Sequence, residues 1–561
     1  MIIALLLLLA SCFAQSDMKD YAGGWKGQLA DSTAFTLTVR IQQLKEGHFS
    51  LAIYRANRLL IQKIFAPGQP YFIVKLDSLT AFRGKLHQNG EITGFMESGV
   101  LLYHLAFSKT GKGVFTGKWN IWMVDRLIPA SIYLNIEDAK GEQYAAYPIF
   151  DDQRFTGTWA GGFSKKEDSL FFHDVKTGVS FKGMIKHGKL YFDILLADAI
   201  LTSVVFEKYD GAFPVVQHYP PVSVHDGRQV SGLPLKEINS TFLRRMEDSI
   251  AANKITNTHS ILIASKGKLV YEKYFSGFTP SIPHDLRSAA KSISSAITGI
   301  AIDKGLIRDP QQKLYDFLPE KYQYTRKNDK RKSAITLHSL LTMSSGIDAI
   351  DFGTDRNTAA AENNYQSTPD WTRTILEAPM INTPATHAWY GSANAYLLGV
   401  VLRSVVAEPL AFFMDDNLLA PLGITNYIIQ NDVTGYPYFG GGMYLQPRDM
   451  LKFGQLYLDK GKWKGQRIIS ESWIGKSFQK YFLLENRKDS IEYGYLWWHK
   501  NYTVGKTNIH AVEARGAGGQ YIFVINSLDL VVVITSGNYN NGRFWQPEAI
   551  LEKYILPAIL H

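Results

Sequence analysis

Apolar and polar residues alternate in short runs over the first part of the chain, from about residue 17 to residue 213. Every second position is apolar from Phe35 to Ile41 and again from Phe49 to Ile53, and the polar sequence Lys45-Glu46-Gly47 lies between the two runs. Side chains alternate between the two faces of a strand, so this pattern predicts a β-hairpin with one buried face. Residues 17–213 are therefore predicted to form an all-β module.

The same region contains a weak repeat of the form aromatic-x-Gly-x-Trp, at residues 21–25, 115–119 and 155–159. A glycine suits a bulge or tight bend, and a tryptophan suits a strand position that faces the core. The repeat indicates a meander or a barrel. We interpret its aromatic residues as core, and a ligand-binding role is the alternative.

Proline and glycine concentrate between Pro214 and Pro234, where no regular element can be long, so residues 214–235 are predicted to link two domains. The pattern then predicts a helix over Ser240–Ala252 and strands over Ile261–Ala264 and Leu269–Phe275. Mostly helical periodicity follows to about Leu419, and the chain closes on strands over 521–525 and 530–535. Strands at both ends of residues 236–561, with helices between them, predict one sheet assembled from distant parts of an α/β domain.

An unbroken apolar run from Ile2 to Ala10 is too short to cross a bilayer but has the length of a signal peptide core. Two cleavage sites compete after it. Ordinary cleavage after Ala14 would remove residues 1–14 and leave Gln15 first, which is the alternative we favour. The sequence Leu9-Ala10-Ser11-Cys12 instead resembles a lipobox, and lipidation of Cys12 would attach the chain to a membrane. Both alternatives predict export to the periplasm or the cell exterior.

The net charge of +9 comes from lysines and arginines that are scattered along the chain rather than gathered in a stripe. This distribution indicates a solvated surface and no nucleic-acid partner. Cys12 is the only cysteine, which excludes an internal disulfide and a thiolate metal site. The sequence has no Gly-x-Ser-x-Gly elbow, His-Glu-x-x-His, Walker loop or dinucleotide fingerprint, so neither a metal nor another cofactor is predicted.

The spacing of Ser288 and Lys291 suggests a nucleophile with its base. Residues three apart on a helix share a face, so the Lys291 amine can reach the Ser288 hydroxyl. The amine must be neutral to take a proton, which burial would achieve by lowering its pKa from about 10.4. Ser16, Ser265 and Ser477 also have a lysine three residues on.

Context distinguishes Ser288 from the other three serines. It alone is predicted to open a long apolar helix, which ends near Gly305. A serine at a buried helix start also places a backbone N–H where an oxyanion could form. The alternative is that Ser288 caps the helix and Lys291 is a solvated residue of its first turn.

From about Ile238 to Tyr554 the sequence resembles the serine hydrolases that include class C β-lactamases, DD-peptidases and related esterases and amidases. Seven segments match in the same order: 260–275 (SILIASKGKLVYEKYF), 285–307 (DLRSAAKSISSAITGIAIDKGLI), 335–346 (ITLHSLLTMSSG), 390–399 (YGSANAYLLG), 440–449 (GGGMYLQPRD), 493–498 (YGYLWW) and 516–538. The resemblance implies that Ser288 is the nucleophile and Lys291 its base. It also implies an antiparallel sheet flanked by helices, with a helical lobe beside the active site.

The family's second motif, Tyr-x-Asn, corresponds here to Tyr390-Gly391-Ser392. The resemblance implies that Tyr390 relays protons and that Ser392 contributes a hydrogen bond to substrate in place of the usual asparagine; Asn394 could compensate for that change. The third motif, usually Lys-Thr-Gly or His-x-Gly, corresponds to Gly516-Ala517-Gly518 and lacks its cation. By resemblance, an N–H of Gly518 or Gly519 would complete an oxyanion hole with that of Ser288.

These features predict an exported serine hydrolase that cleaves a carboxylic ester or amide of a small-molecule or peptide-like substrate. The missing cation predicts an esterase or amidase rather than an efficient β-lactamase. A D-amino-acid peptidase or β-lactamase is an alternative, and so is a binding protein that keeps the fold without catalysis. A further alternative makes the N-terminal module, as a sugar or lipid binder, the main functional part.

Overall fold

The protein is described here from a computed structural model. It describes residues 22–127, 130–139, 143–149, 160–166, 168–210, 238–487, 489, 491–539 and 541–560, with the backbone alone at 137–139, 143–149 and 160–163. The chain divides into two compact units, Met1–Val216 and Gln217–His561. The predicted signal peptide with Cys12, the third copy of the repeat and the predicted linker lie outside the described residues.

The first unit consists of antiparallel strands in its described residues, which confirms the all-β prediction. One sheet has the order β12-β11-β1-β17-β16-β15-β14-β13, a second has β4-β3-β2-β10-β9, and β8-β7-β6-β5 pair in that order. The strands are β1 (Gly23–Gln28), β2 (Thr36–Gln43), β3 (Phe49–Arg55), β4 (Arg58–Phe65), β5 (Tyr71–Lys75), β6 (Thr80–Leu86), β7 (Ile92–Ser98), β8 (Leu101–Leu105), β9 (Ser108–Gly111), β10 (Val114–Asn120), β11 (Ser131–Ala139), β12 (Gln143–Ile149), β13 (Ala160–Lys166), β14 (Ser169–Asp174), β15 (Ser180–Lys186), β16 (Lys189–Leu196) and β17 (Ala199–Lys208).

The hairpin predicted from alternating apolar residues is formed by β2 and β3, with Gln43 opposite Phe49. Its alternate apolar side chains are buried, as a strand with one core-facing side requires. The tryptophans of the first two repeats, Trp25 on β1 and Trp119 on β10, are each 1% exposed. The interpretation of these repeat residues as core is thereby confirmed.

The second unit is built on an eight-stranded antiparallel sheet of order β19-β18-β30-β29-β28-β27-β26-β25. Strands from both ends of the unit meet where β18 pairs with β30. The prediction of one sheet from distant parts of the chain is therefore correct. Its strands are β18 (Thr258–Ser265), β19 (Lys268–Tyr274), β25 (Phe482–Leu483), β26 (Glu492–Tyr493), β27 (Trp498–Val504), β28 (Thr507–Gly516), β29 (Gln520–Ile525) and β30 (Leu530–Ser536). Short strands β20 (His284–Asp285), β21 (Ile428–Gln430) and β22 (Met443–Leu445) pair beside it, as do β23 (Lys462–Trp463) and β24 (Gln466–Arg467).

Helices cover both faces of this sheet, which explains why β30 is buried along its whole length. Val532 and Ile534 pack in one core with the helix Ser240–Ala251 and the C-terminal helical residues. On the opposite face, a Cβ placed on Gly454 of the helix Pro447–Leu458 would lie 2.6 Å from Val531. Strands buried on both faces show continuous apolar runs rather than alternation, as the sequence of β30 does.

The helical part between the two sets of strands contains the nucleophile helix (Ala290–Asp303) and the tyrosine helix (Ser392–Val405). Gly305, with φ of 73°, follows the nucleophile helix where a stop was predicted. The remaining α-helices are Thr325–Asn328, Leu337–Leu341, Glu362–Tyr365, Trp371–Glu377, Leu410–Met414, Glu471–Ser477, Gln546–Ile550 and Leu556–Leu560, with π-helical turns at Asp415–Leu419 and Leu551–Ile555 and 3-10 turns at Arg287–Ala289, Leu314–Asp316, Glu320–Tyr322, Lys330–Ala334 and Asn526–Leu528.

In the part of the chain that the structure describes, no single helix is long and apolar enough to cross a membrane. The tyrosine helix and the helical segment Leu410–Leu419 reach that length and hydropathy only together, and the pair is bent by 99°.

Candidate active site

Ser288 lies in a 3-10 turn, Arg287–Ala289, which leads directly into the nucleophile helix. The preceding residue, Arg287, has φ of 49°, a left-handed conformation that is uncommon outside glycine. Asp285 stabilises this turn, because its Oδ1 accepts the Arg287 N–H at 3.1 Å and its Oδ2 lies 3.2 Å from the Arg287 Nε. The sequence predicted that Ser288 opens the helix, whereas the structure places it one tight turn earlier.

Lys291 is in the first turn of the nucleophile helix, with its Nζ 2.8 Å from the Ser288 Oγ. Its side chain also donates to the carbonyl of Gly440. The residue is 1% exposed, and burial lowers the pKa of its amine, although the charges of Glu362 and Asp351 oppose that shift. A buried amine with a lowered pKa is the base that an attacking serine hydroxyl needs. The alternative of a solvated first-turn lysine is therefore wrong, and the residue at the N-cap of the nucleophile helix is Ala289 rather than Ser288.

The other two described serines with a lysine three residues on have different surroundings. Ser265 ends β18, and its lysine, Lys268, is exposed. Ser477 is buried at the end of a short helix, where its hydroxyl donates to the Trp473 carbonyl at 2.8 Å. Neither hydroxyl has a buried lysine amine beside it, so the structure singles out Ser288 among the described serines with this spacing.

Tyr390 is the third member of the cluster. Its hydroxyl is hydrogen-bonded to Ser288, and its ring centroid is 5.1 Å from the Lys291 Nζ. Burial raises the pKa of Tyr390 well above its usual value. A tyrosine held neutral in this way can donate and relay a proton, while Lys291 is the better base.

The backbone of Tyr390 is fixed from two sides. The Asp351 N–H donates to the Tyr390 carbonyl at 3.1 Å, and the Asn486 side-chain oxygen accepts the Tyr390 N–H. The next residue, Gly391, leaves no room for a side chain, since a Cβ there would lie 1.7 Å from the Ala349 carbonyl oxygen. Asp351 and Asn486 were not found by sequence reasoning, because neither belongs to a recognisable motif.

The Ser392 hydroxyl, which was predicted to donate to substrate, has a different partner in the structure. Ser392 is fully buried, and both its N–H and its hydroxyl donate to the Asp351 Oδ2 at 2.7 Å. The hydroxyl is therefore committed to holding the start of the tyrosine helix rather than offered to substrate. Asn394 does not replace it there, because its amide donates to the Gly391 carbonyl at 3.1 Å.

The third motif approaches the nucleophile turn through Gly516, at the end of β28. A Cβ at Gly516 would lie 2.1 Å from the Leu286 carbonyl oxygen and 3.2 Å from the Ala289 nitrogen. Gly518 and Gly519 follow with φ of 83° and 92°. The Gly519 N–H donates to the Gly516 carbonyl at 3.2 Å, and Gly518 pairs with Asn538 in an isolated antiparallel bridge. Both residues therefore have a backbone partner, and the geometry favours neither of them as the oxyanion donor.

Arg515 does not supply the missing cation. Its guanidinium is 7% exposed and pairs with Glu513 at 2.7 Å and with Glu548 at 3.1 Å. It also lies over the ring of Trp498, 5.1 Å from the centroid. Alternation along β28 points its side chain to the opposite face from Gly516, as the sequence predicted.

Two carboxylates complete the surroundings of Lys291. Asp351 and Glu362 are neighbours, since the Glu362 N–H donates to the Asp351 Oδ1 at 2.9 Å. Burial and the charge of Glu362 raise the pKa of Asp351 to about 6. Within the described ranges, no group of three or more histidine, cysteine, aspartate or glutamate side chains is arranged to hold a metal ion.

Comparison with known proteins finds the following similarities. A 6-aminohexanoate-dimer hydrolase of Paenarthrobacter ureafaciens is 26% identical over 235 residues, which is 39% of this chain and 56% of that protein. The chain thus spans about half the length of this curated relative. Among solved structures, a putative 6-aminohexanoate-dimer hydrolase from Bacillus anthracis is similar with a TM-score of 0.47 and 22% identity, covering 62% of this chain and 90% of that one. A putative β-lactamase from Bacteroides dorei has a TM-score of 0.47 and 18% identity, covering 58% and 100%.

A family model described as β-lactamase matches residues 243–552, which is more than half of the chain and includes Ser288, Lys291, Tyr390 and Gly516. The matched range begins in the helix Ser240–Ala251 and ends in the C-terminal helical residues, so it takes in the entire eight-stranded sheet. The chain therefore belongs to the β-lactamase family of serine hydrolases.

Proposed function

We propose that the second unit hydrolyses carboxylic esters or amides through an acyl-enzyme on Ser288. The observation that carries this proposal is the cluster of a serine hydroxyl, a buried lysine amine 2.8 Å from it and a neutral tyrosine hydrogen-bonded to it. Nucleophile, base and proton relay are the groups that acyl transfer to serine requires. Family membership supports the same class of reaction.

In this mechanism neutral Lys291 takes the Ser288 proton as the oxygen attacks the substrate carbonyl. Its hydrogen bond to the Gly440 carbonyl orients the amine, so that the nitrogen lone pair can point at Ser288. The resulting tetrahedral oxyanion would be stabilised by the backbone N–H of Ser288 and by that of Gly518 or Gly519. Tyr390 would pass a proton to the leaving alcohol or amine, and Lys291 would return one to Tyr390. Water then attacks the acyl group in a second, equivalent step and regenerates Ser288.

A fluorophosphonate probe is expected to label the protein at Ser288 alone. The probe reacts with activated serine hydroxyls, and Ser288 has a base within hydrogen-bond distance. Peptide mass spectrometry locates the label, and Ser288→Ala should abolish it. Ser477→Ala is the matched control, because Ser477 has the same spacing to a lysine but donates to a backbone carbonyl. Labelling that survives Ser288→Ala would refute the assignment.

We further propose that neutral esters are better substrates than β-lactams. Three features support this preference. Gly516 has no cationic side chain, Arg515 is paired with two carboxylates, and the Ser392 hydroxyl is bonded to Asp351. A substrate carboxylate would therefore lack a charged partner at the position that the third motif usually fills. The attack on a neutral ester does not depend on such a partner.

Turnover of p-nitrophenyl butyrate is expected to exceed that of nitrocefin when kcat/KM is compared on one preparation. Losing a charge-assisted hydrogen bond to a carboxylate costs about 1.5 to 3 kcal/mol, or about tenfold to over a hundredfold in specificity. The loss applies to anionic substrates only. The methyl ester of a cephalosporin is a matched control. Because it carries no carboxylate, the missing cation should not lower its kcat/KM. Efficient nitrocefin hydrolysis with negligible esterase activity would contradict this proposal.

The alternatives make different predictions in the same assays. A D-amino-acid peptidase would cleave acyl-D-alanyl-D-alanine, a β-lactamase would turn over nitrocefin, and a binding protein would turn over nothing. Linear amides belong in the panel as well, because the curated relative is named a 6-aminohexanoate-dimer hydrolase. We also propose that the protein is exported, and the apolar run that begins at Ile2 supports this proposal.

A further inference from the structure

We propose that Asp351 and Glu362 together form the counter-ion of Lys291, stabilising the ammonium that forms when the lysine takes the Ser288 proton. Both are positioning residues in this proposal, since they act through Lys291 and Tyr390. The proposal rests on the function proposed above for Ser288. It assigns a role to two carboxylates that the three-residue cluster does not explain.

Asp351 connects the carboxylate pair to the tyrosine side of the site. Its backbone N–H donates to the Tyr390 carbonyl at 3.1 Å, and its Oδ2 accepts from both the N–H and the hydroxyl of Ser392 at 2.7 Å. Its Oδ1 accepts the Glu362 N–H at 2.9 Å. Asp351 therefore contacts Ser392 and Glu362 through its carboxylate and the Tyr390 backbone through its own N–H.

Glu362 connects the pair to the lysine side. The Tyr438 hydroxyl donates to its Oε1, and the Tyr365 and Tyr438 hydroxyls are 2.6 Å apart. The Tyr438 hydroxyl in turn packs against Gly440, where a Cβ would lie 2.2 Å from it. The Gly440 carbonyl accepts the hydrogen bond from Lys291. The Tyr438 hydroxyl therefore connects the Glu362 carboxylate to Gly440, whose carbonyl orients the Lys291 amine.

The charges around Lys291 are consistent with this arrangement. Glu362 and Asp351 are the two groups whose charge raises the pKa of Lys291 against the lowering by burial. The charge of Glu362 also raises the pKa of Arg287 in the nucleophile turn. The same charge contributes to the raised pKa of the Tyr390 and Tyr438 hydroxyls, which are therefore neutral. Burial favours the neutral amine, while the two carboxylates would stabilise the ammonium during proton transfer.

Glu362→Gln tests the proposal most directly, because its side-chain oxygen can still accept from the Tyr438 hydroxyl while the charge is removed. Asp351→Asn also removes a charge, but its amide NH2 replaces one of the two oxygens that accept from Glu362 and Ser392. Without a nearby anion the ammonium is less favourable, so the pKa of Lys291 falls. The acidic limb of the pH profile of kcat/KM should then move to lower pH by about one unit in each variant. The plateau rate should fall by about tenfold, since a weaker base takes the Ser288 proton less readily. Asp351→Asn should also remove any step near pH 6 that Asp351 contributes.

Asp348→Asn is the matched control, since Asp348 lies three residues before Asp351 and its carboxylate pairs with Arg356 at 2.6 Å. It should leave the acidic limb in place. The pH dependence of the fluorophosphonate labelling rate supplies a second readout that needs no substrate turnover. Wild-type protein with neither turnover nor labelling would refute the proposed function.

Three outcomes overturn the counter-ion role itself. The first is an active wild type whose acidic limb stays unmoved in Glu362→Gln, the variant that keeps the contacts of Asp351 with Ser392 and Tyr390. The second is an equal shift in Asp348→Asn. The third is a loss of rate that a lowered melting temperature accounts for completely, because the variants would then act through stability alone.

Discussion

Lys291→Ala is expected to lower kcat/KM for a neutral ester by about a hundredfold to ten-thousandfold, the usual contribution of a positioned general base. The Ser288 hydroxyl would keep its place in the 3-10 turn but lose the amine 2.8 Å away. The high pKa of Tyr390 prevents it from substituting as the base. Alanine is a good helix former, so the nucleophile helix should persist. Steady-state kinetics, with circular dichroism as a check on folding, measures the effect.

Lys332→Ala provides the control for that experiment. Lys332 is also 1% exposed, and burial likewise lowers its pKa, but its amine donates to the Leu376 carbonyl. Its removal should change stability without changing the rate per folded molecule. If Lys291→Ala retained wild-type activity, or if both variants lost activity equally, Lys291 would not be the base.

Gly516→Ala should have the second largest effect, because β28 touches the nucleophile turn at this glycine. The added Cβ would lie 2.1 Å from the Leu286 carbonyl oxygen, a distance at which one backbone must move. A shift of about 1 Å in a reacting group can cost about a hundredfold in rate. We expect kcat/KM to fall by about that factor and the free energy of unfolding to drop by about 1 to 3 kcal/mol.

Gly475→Ala is the matched control, since Gly475 lies in the helix Glu471–Ser477 and a Cβ there would meet no atom within 4 Å. Alanine at such a helical site should stabilise the protein by about 0.4 to 1 kcal/mol and leave kcat/KM unchanged. Chemical denaturation and ester kinetics on both variants provide the comparison. A fully active Gly516→Ala protein would show that the approach of β28 does not position Ser288.

The same glycine explains why the family's third motif departs from its usual form here. A lysine or histidine at position 516 would need the space that the Leu286 carbonyl occupies. Arg515 next to it cannot turn toward the site without breaking its pairs with Glu513 and Glu548. Breaking a buried ion pair leaves uncompensated charge and is strongly unfavourable. The absence of the cation is therefore built into the packing of β28 against the nucleophile turn.

The sequence by itself determined the two fold classes and the three residues at the centre of the site. Alternation identified the hairpin of β2 and β3, because burial on one face makes every second residue apolar. Apolar runs identified β18 and β30, because burial on both faces makes the residues continuously apolar. Spacing placed Ser288 and Lys291 on one helix face, since the helix repeat determines which side chains meet. Three other serines share that spacing, so the apolar helix and the family resemblance were needed to choose Ser288. Tyr390 needed the resemblance of its motif, as nothing in periodicity separates it from the other tyrosines.

Only the tertiary structure decided which polar groups surround that centre. Asp351, Glu362, Asn486 and Gly440 come from separate loops and a short helix, and contacts between such segments leave no periodic pattern in the sequence. Ser392 could be aligned with a motif, yet its hydroxyl direction depends on Asp351, 41 residues earlier in the chain. Local spacing determines which side chains share a helix face, whereas the charge and burial that tune Lys291 arise from residues that only the folded chain brings together.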